Sequence, residues 1–120
     1  MIARIVPGSS SAVSLIPEET DGAPEEETAE AAMFFEALVR LFAGELSACA
    51  VRLAASVQDV EISLRGCADR HRCFREGMEI TVSARCGRRC LEELAACAGQ
   101  ACFPEGAAMC PCTYHIIARS

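Results

Sequence analysis

The chain contains no lysine, no asparagine and no tryptophan. Lysine and asparagine use A-rich codons, so their joint absence points to a GC-rich genome, that of a high-GC bacterium or a GC-rich large DNA virus. All eleven basic residues are arginine. With no Trp, one Tyr and scattered Phe, the chain offers no stacking platform for nucleic-acid bases. No apolar run approaches the roughly 20 residues of a membrane span; the apolar region 33–57 is interrupted by Glu36, Arg40, Glu45 and Arg52. The start, "MIARIVPGSSS", lacks the apolar core of a signal peptide. The expectation is an intracellular, cytoplasmic protein with no membrane partner. Phosphate loops, dinucleotide fingerprints, paired-carboxylate sites and Ser/His/Asp sets are also missing.

What is present fits a single domain of 120 residues with a hydrophobic share of 52% and a mainly aliphatic core. The net charge of −6 is unevenly spread. Residues 1–60 carry ten acids and three Arg, whereas residues 61–120 carry seven acids and eight Arg. The overall acidity argues against general nucleic-acid binding. A local arginine patch still suits an acidic protein partner.

"IARIV", a "PGSSS" turn and "AVSLI" read as a β-hairpin. "PEETDGAPEEETAE" follows, with seven acids. It reads as an acidic flexible loop at 18–30. Thr28 is placed to cap a long helix over 28–57. Its apolar residues cover most of its circumference, which predicts burial on nearly all sides. As one rod it looks too long for so small a domain, so the reading is a break near Gly44 or, failing that, an apolar face used for homodimerisation. "DVEISLRG" and "MEITVSARC" alternate as half-buried strands, with Val60, Ile62, Leu64, Met78, Ile80, Val82 and Ala84 inward. "GCADRHRCFREG" joins them as a long exposed loop. A short helix over 88–98 is expected to end at Gly99 as its C′ residue. "TYHIIAR" closes the chain as a strand. The fold class is therefore α+β, a ββ-α-ββ-α-β layered single domain over 1–120, with a mainly antiparallel sheet packed on a long apolar helix.

Nine cysteines invite three explanations. Cys49, Cys86, Cys90 and Cys97 fall on apolar faces and read as small reduced core residues. A zinc site would draw on Cys102, Cys110, Cys112 and His115, although C-x-C-x-x-H is not a usual zinc spacing. Structural disulfides suit exported chains better, and Cys67 with Cys73 is the pair placed to oxidise. The favoured reading is mostly free thiols and no required cofactor.

Two constellations bear on function. Arg65, Arg70, Arg72 and Arg75 lie on or beside the long loop and are the candidate partner-binding residues, since Arg forks suit carboxylates. Cys73, among arginines and two residues from His71, is a candidate nucleophile, because neighbouring positive charge favours thiolate.

The order of elements resembles the ribosomal-processing cysteine proteases, the Prp family. "MIARIV…AVSLI" and "AAMFFEALVRL" occupy positions comparable to that family's opening hairpin and central helix. The family's catalytic His and Cys flank that junction, where this chain has "DGAPEEETAEAAM" and neither residue. The resemblance implies a divergent member without protease activity. The expected function is a small non-catalytic interaction or regulatory protein, with a viral host-interaction factor fitting the same features. The alternatives are a thiol enzyme or redox sensor using Cys73, and a small zinc-binding domain in the 102–115 segment.

Overall fold

A computed structural model describes residues 2–6, 13–16, 25–67, 76–102 and 112–119. They form seven elements: β1 (Ile2–Ile5), β2 (Val13–Ile16), α1 (Glu25–Arg52), β3 (Gln58–Arg65), β4 (Met78–Arg85), α2 (Arg88–Cys102) and β5 (Cys112–Arg119). The five strands make one sheet in the order β2-β1-β3-β4-β5. Its first three pairings are antiparallel and β4–β5 is parallel. The parallel pairing follows from the connection: α2 carries the chain back over the sheet before β5 begins.

Strand alternation assigns the two faces. Ala3, Ile5, Ile62, Leu64, Met78, Ile80, Val82 and Ala84 are buried. Their neighbours Arg4, Arg65, Glu79 and Arg85 are exposed on the opposite face. Both helices cover the buried face, α1 against β1, β2 and β3 and α2 against β4 and β5, and they pack on each other. Among the described residues the result is two layers, with no element covering the other sheet face. Phe35, Val39, Phe42, Leu46, Leu91 and Leu94 complete the core. Truncating either phenylalanine to Ala would cost about 3–5 kcal/mol.

Three sequence expectations are corrected here. Helix α1 begins at Glu25, ahead of Thr28, so residues 25–30 belong to the helix rather than to a flexible loop. Carboxylates in a first turn suit the helix dipole. Residues 18–24 lie outside the described residues. Second, α1 runs through Gly44 without a break. A helix of 28 residues, about 42 Å at 1.5 Å per residue, fits because the molecule is flattened, 44 × 33 × 19 Å. Third, α2 continues past Gly99 to Cys102. Gly99 is buried inside the helix beneath Tyr114 of β5 and terminates nothing.

The end of α1 is a Schellman turn. Ala55 N donates to Ala50 O at 2.9 Å and Ala54 N to Val51 O at 3.2 Å. Ala54 takes the left-handed position at φ 51°. Asp59, at φ 52°, sits in an irregularity of the β3–β4 ladder between Gln58 and Glu61. That irregularity leaves Val60 half-buried, whereas Ile62 and Leu64 follow the expected inward register.

Candidate functional site

Burial divides the all-round apolar helix into two faces. Phe35, Val39, Phe42, Leu46 and Cys49 point into the core. On the opposite side, Ala37, Leu41, Gly44, Ala48 and Val51 form an exposed stripe, extended one turn earlier by Met33. Met33, Leu41 and Val51 are 72%, 49% and 82% exposed. The stripe steps by four, three, four and three residues, the a/d spacing of a coiled-coil seam. Leu41 and Ala48 take a positions, while Ala37, Gly44 and Val51 take d positions. A Cβ at Gly44 would meet nothing within 4 Å, so the middle of the seam is open to close approach.

Charge flanks the stripe on both sides. Arg40 falls at a g position and holds Glu36 at 3.2 Å, an exposed i, i+4 pair. Glu45 falls at an e position five residues on. A g arginine and the next e glutamate are the pair that meets across two parallel helices in register. Beside the C-terminal half of α1 lies a cavity of about 170 Å³, lined by Leu46, Ser47, Ala50, Val57, Val60 and Leu94. Among the described residues no charged side chain lines it.

The cysteines are arranged differently from the sequence reading. Cys49 of α1 and Cys97 of α2 form a disulfide with Cα atoms 6.4 Å apart, which corrects their assignment as reduced core residues. Face-to-face packing of the two helices brings them together, a proximity that no local pattern encodes. Arg52 Nη2 donates to Cys49 Sγ at 3.1 Å and to Cys97 Sγ at 3.4 Å. Cys86, Cys90 and Cys102 carry free thiols. Cys67 donates to Glu76 Oε2 at 2.8 Å. Its expected partner Cys73 lies outside the described residues. Burial pushes the Cys102 thiol up to about 11, helped by the Glu45 carboxylate. Burial also pushes the Tyr114 phenol up to about 12, with Cys112 and Cys102 adding to it.

Of the expected zinc set, Cys112 and His115 are not brought together. In β5, Cys112 shares the helix-side face with Tyr114, whereas His115 takes the opposite face, 3.7 Å from Glu79. Cys110 lies outside the described residues. Among the described residues no group of three or more His, Cys, Asp or Glu side chains converges on a metal position. Of the arginine set, Arg65 is described, exposed and 3.9 Å from Glu79. Arg70, Arg72 and Arg75, with the candidate nucleophile Cys73 and His71, lie outside the described residues. Among the described residues no helix is long and apolar enough to cross a membrane.

Comparison with known proteins finds no matching family model, no matching curated protein and no matching solved structure.

Proposed function

We propose that this chain is a small non-catalytic interaction module that works as a homodimer, two copies lying side by side in parallel along α1. The observation that carries the reading is the exposed apolar stripe at heptad spacing. Exposed apolar surface of this extent marks contact sites, and heptad spacing is the pattern that a second helix reads. A second copy supplies that helix with the right flanks: Arg40 of each copy meets the partner's Glu45, twice per dimer. The arginine fork has donors enough to keep Glu36 while doing so. From Met33 to Val51 the seam spans about 27 Å. That corresponds to several hundred Å² per copy, roughly the low end of specific interfaces, and to micromolar association. The basic residues Arg65, Arg70, Arg72 and Arg75, close together in the sequence, suit an acidic protein partner, and a dimer would carry the set twice.

Sedimentation velocity across micromolar concentrations tests the reading. The chain should pass from monomer to dimer, and Leu41→Glu should hold it monomeric with an unchanged circular dichroism spectrum. A wild-type chain that stays monomeric at tens of micromolar would reject it.

A further inference from the structure

Three pairs of cysteines lie along α2. At its N-terminal end Cys86 lies four residues before Cys90, and burial, with Cys90 adding to it, pushes the Cys86 thiol up. Midway, Cys97 is bonded to Cys49. At its C-terminal end Cys102 is followed, across the next connection, by Cys112, and both act on the Tyr114 phenol. The middle pair is different in kind, because its sulfurs are already oxidised and a guanidinium sits on both of them. A neutral disulfide sulfur is a weak acceptor, whereas a thiolate carries a full charge that a neighbouring cation stabilises. Arg52 is therefore placed to act most strongly once the bond opens.

We propose that Cys49–Cys97 is a thiol–disulfide exchange site for a low-molecular-weight monothiol, with Cys97 the sulfur attacked, Cys49 the leaving sulfur and Arg52 the cation that receives it. The direction follows from access. Cys49 is fully buried, while Cys97 is half-buried on the outer part of α2. The incoming thiolate forms a new S–S bond to Cys97 Sγ as the Cys97–Cys49 bond breaks. The electron pair leaves on Cys49 Sγ, 3.1 Å from Arg52 Nη2. The proton lost by the incoming thiol is returned through water to Cys49. One disulfide is consumed and one is formed, so no outside oxidant or reductant is needed. The product is a mixed disulfide on Cys97 above a reduced Cys49. Exchange rates rise as the leaving sulfur's thiolate is stabilised, and that is the contribution of Arg52.

The test uses the full chain and excess reduced glutathione, quenched with acid and read by intact and peptide mass spectrometry. Reduced glutathione does not add to free thiols, so an adduct marks an opened disulfide. The expected early product is one adduct, on Cys97, before a second glutathione attacks the adduct and carries the first glutathione off as glutathione disulfide. Arg52→Gln should slow the adduct's appearance about tenfold, since leaving-group stabilisation sets the rate, and Arg52→Lys should recover part of the loss. Melting curves establish that both variants are folded. An adduct on Cys49, no adduct, or equal rates in wild type and Arg52→Gln would overturn the assignment. Leu41→Glu, which removes the dimer seam, should exchange at the wild-type rate, so this proposal and the dimer stand or fall separately.

Discussion

The phenol of Tyr114 lies so close to the backbone of Gly99 that a Cβ on Gly99 would come within 2.9 Å of the Tyr114 Cζ. One glycine in the last turn of a helix thus seats the edge strand's aromatic ring on that helix. The ring also meets Phe42 of α1, with centroids 6.3 Å apart, so a single contact ties β5 to both helices.

Gly99→Ala should therefore destabilise the fold although alanine is the better helix former. The propensity gain is about 1 kcal/mol, and forcing a methyl group into filled space costs about 1–3 kcal/mol. Gly44→Ala should do the opposite. It has open space for a Cβ, and in the monomeric Leu41→Glu background it should gain up to about 1 kcal/mol. Urea denaturation of both variants checks the pair. A Gly99→Ala protein as stable as wild type would mean that Tyr114 moves aside freely.

Ala54 holds the left-handed position of the Schellman turn, where glycine is the usual occupant. An L side chain there costs about 1–2 kcal/mol. Ala54→Gly should raise stability by about 1 kcal/mol once the extra freedom of the unfolded chain is counted. A fall in the denaturation midpoint would show that the Ala54 methyl contributes packing that outweighs the strain.

Alkaline pH should weaken the fold through the same corner of the molecule. Burial raises Cys102 from 9.0 to about 11 and Tyr114 from 10.0 to about 12. The unfolded chain then releases both protons before the folded chain does, so stability falls as pH rises from about 9 towards 12. Cys102→Ala should flatten the lower part of that decline. Chemical denaturation at a series of alkaline pH values measures it, and a flat profile in the wild type would contradict the partial burial that shifts both groups.

The sequence made the sheet more legible than the helices. Strict alternation over Ile62 and Leu64, and again from Met78 to Ala84, identified two strands and their inward faces, because a strand repeats every two residues and one face is wet. The same alternation could not say that β5 runs parallel to β4, since orientation comes from the path between them. In α1 the heptad stripe was written in the sequence, from Ala37 to Val51, but apolar residues on the core side hid it. Only burial separates the two sets. Gly99 read as a stop signal because its reason for being glycine, Tyr114, lies on another element. The Cys49–Cys97 bond was illegible for the same cause: 48 residues separate its ends. The arginine and Cys73 candidates remain readings of sequence alone.

Those arginines give a test of the second surface. Changing Arg70, Arg72 and Arg75 together to Ala should leave the melting temperature nearly unchanged if the sequence reading of a solvated arginine loop holds. The triple variant should elute earlier than wild type from an immobilised polyglutamate column, and the difference should shrink with added salt as the charges are screened. Equal retention at low salt would remove this segment from the functional reading.

The orientation of the dimer can be read from two charges. In a parallel pairing Arg40 of one copy faces the partner's Glu45, whereas an antiparallel pairing brings e residues to e and g to g, so Arg40 and Glu45 do not meet. Arg40→Glu alone should weaken the dimer, since it places like charges across the seam and also sets a second carboxylate beside Glu36, the present partner of Arg40 at 3.2 Å. Glu45→Arg alone should weaken it as well, by placing Arg40 opposite an arginine. Combining the two restores opposite charges across a parallel seam and should recover most of the association. Exposed pairs of this kind are each worth about 0.2–1 kcal/mol, and two per dimer should shift the dissociation constant several-fold, within reach of sedimentation at low salt. The two single variants should also form a heterodimer when mixed, because both of its g–e contacts pair opposite charges, whereas both are repulsive in each homodimer. A double variant no better than the singles would exclude parallel pairing while leaving the apolar stripe, and Leu41→Glu, to report on association itself.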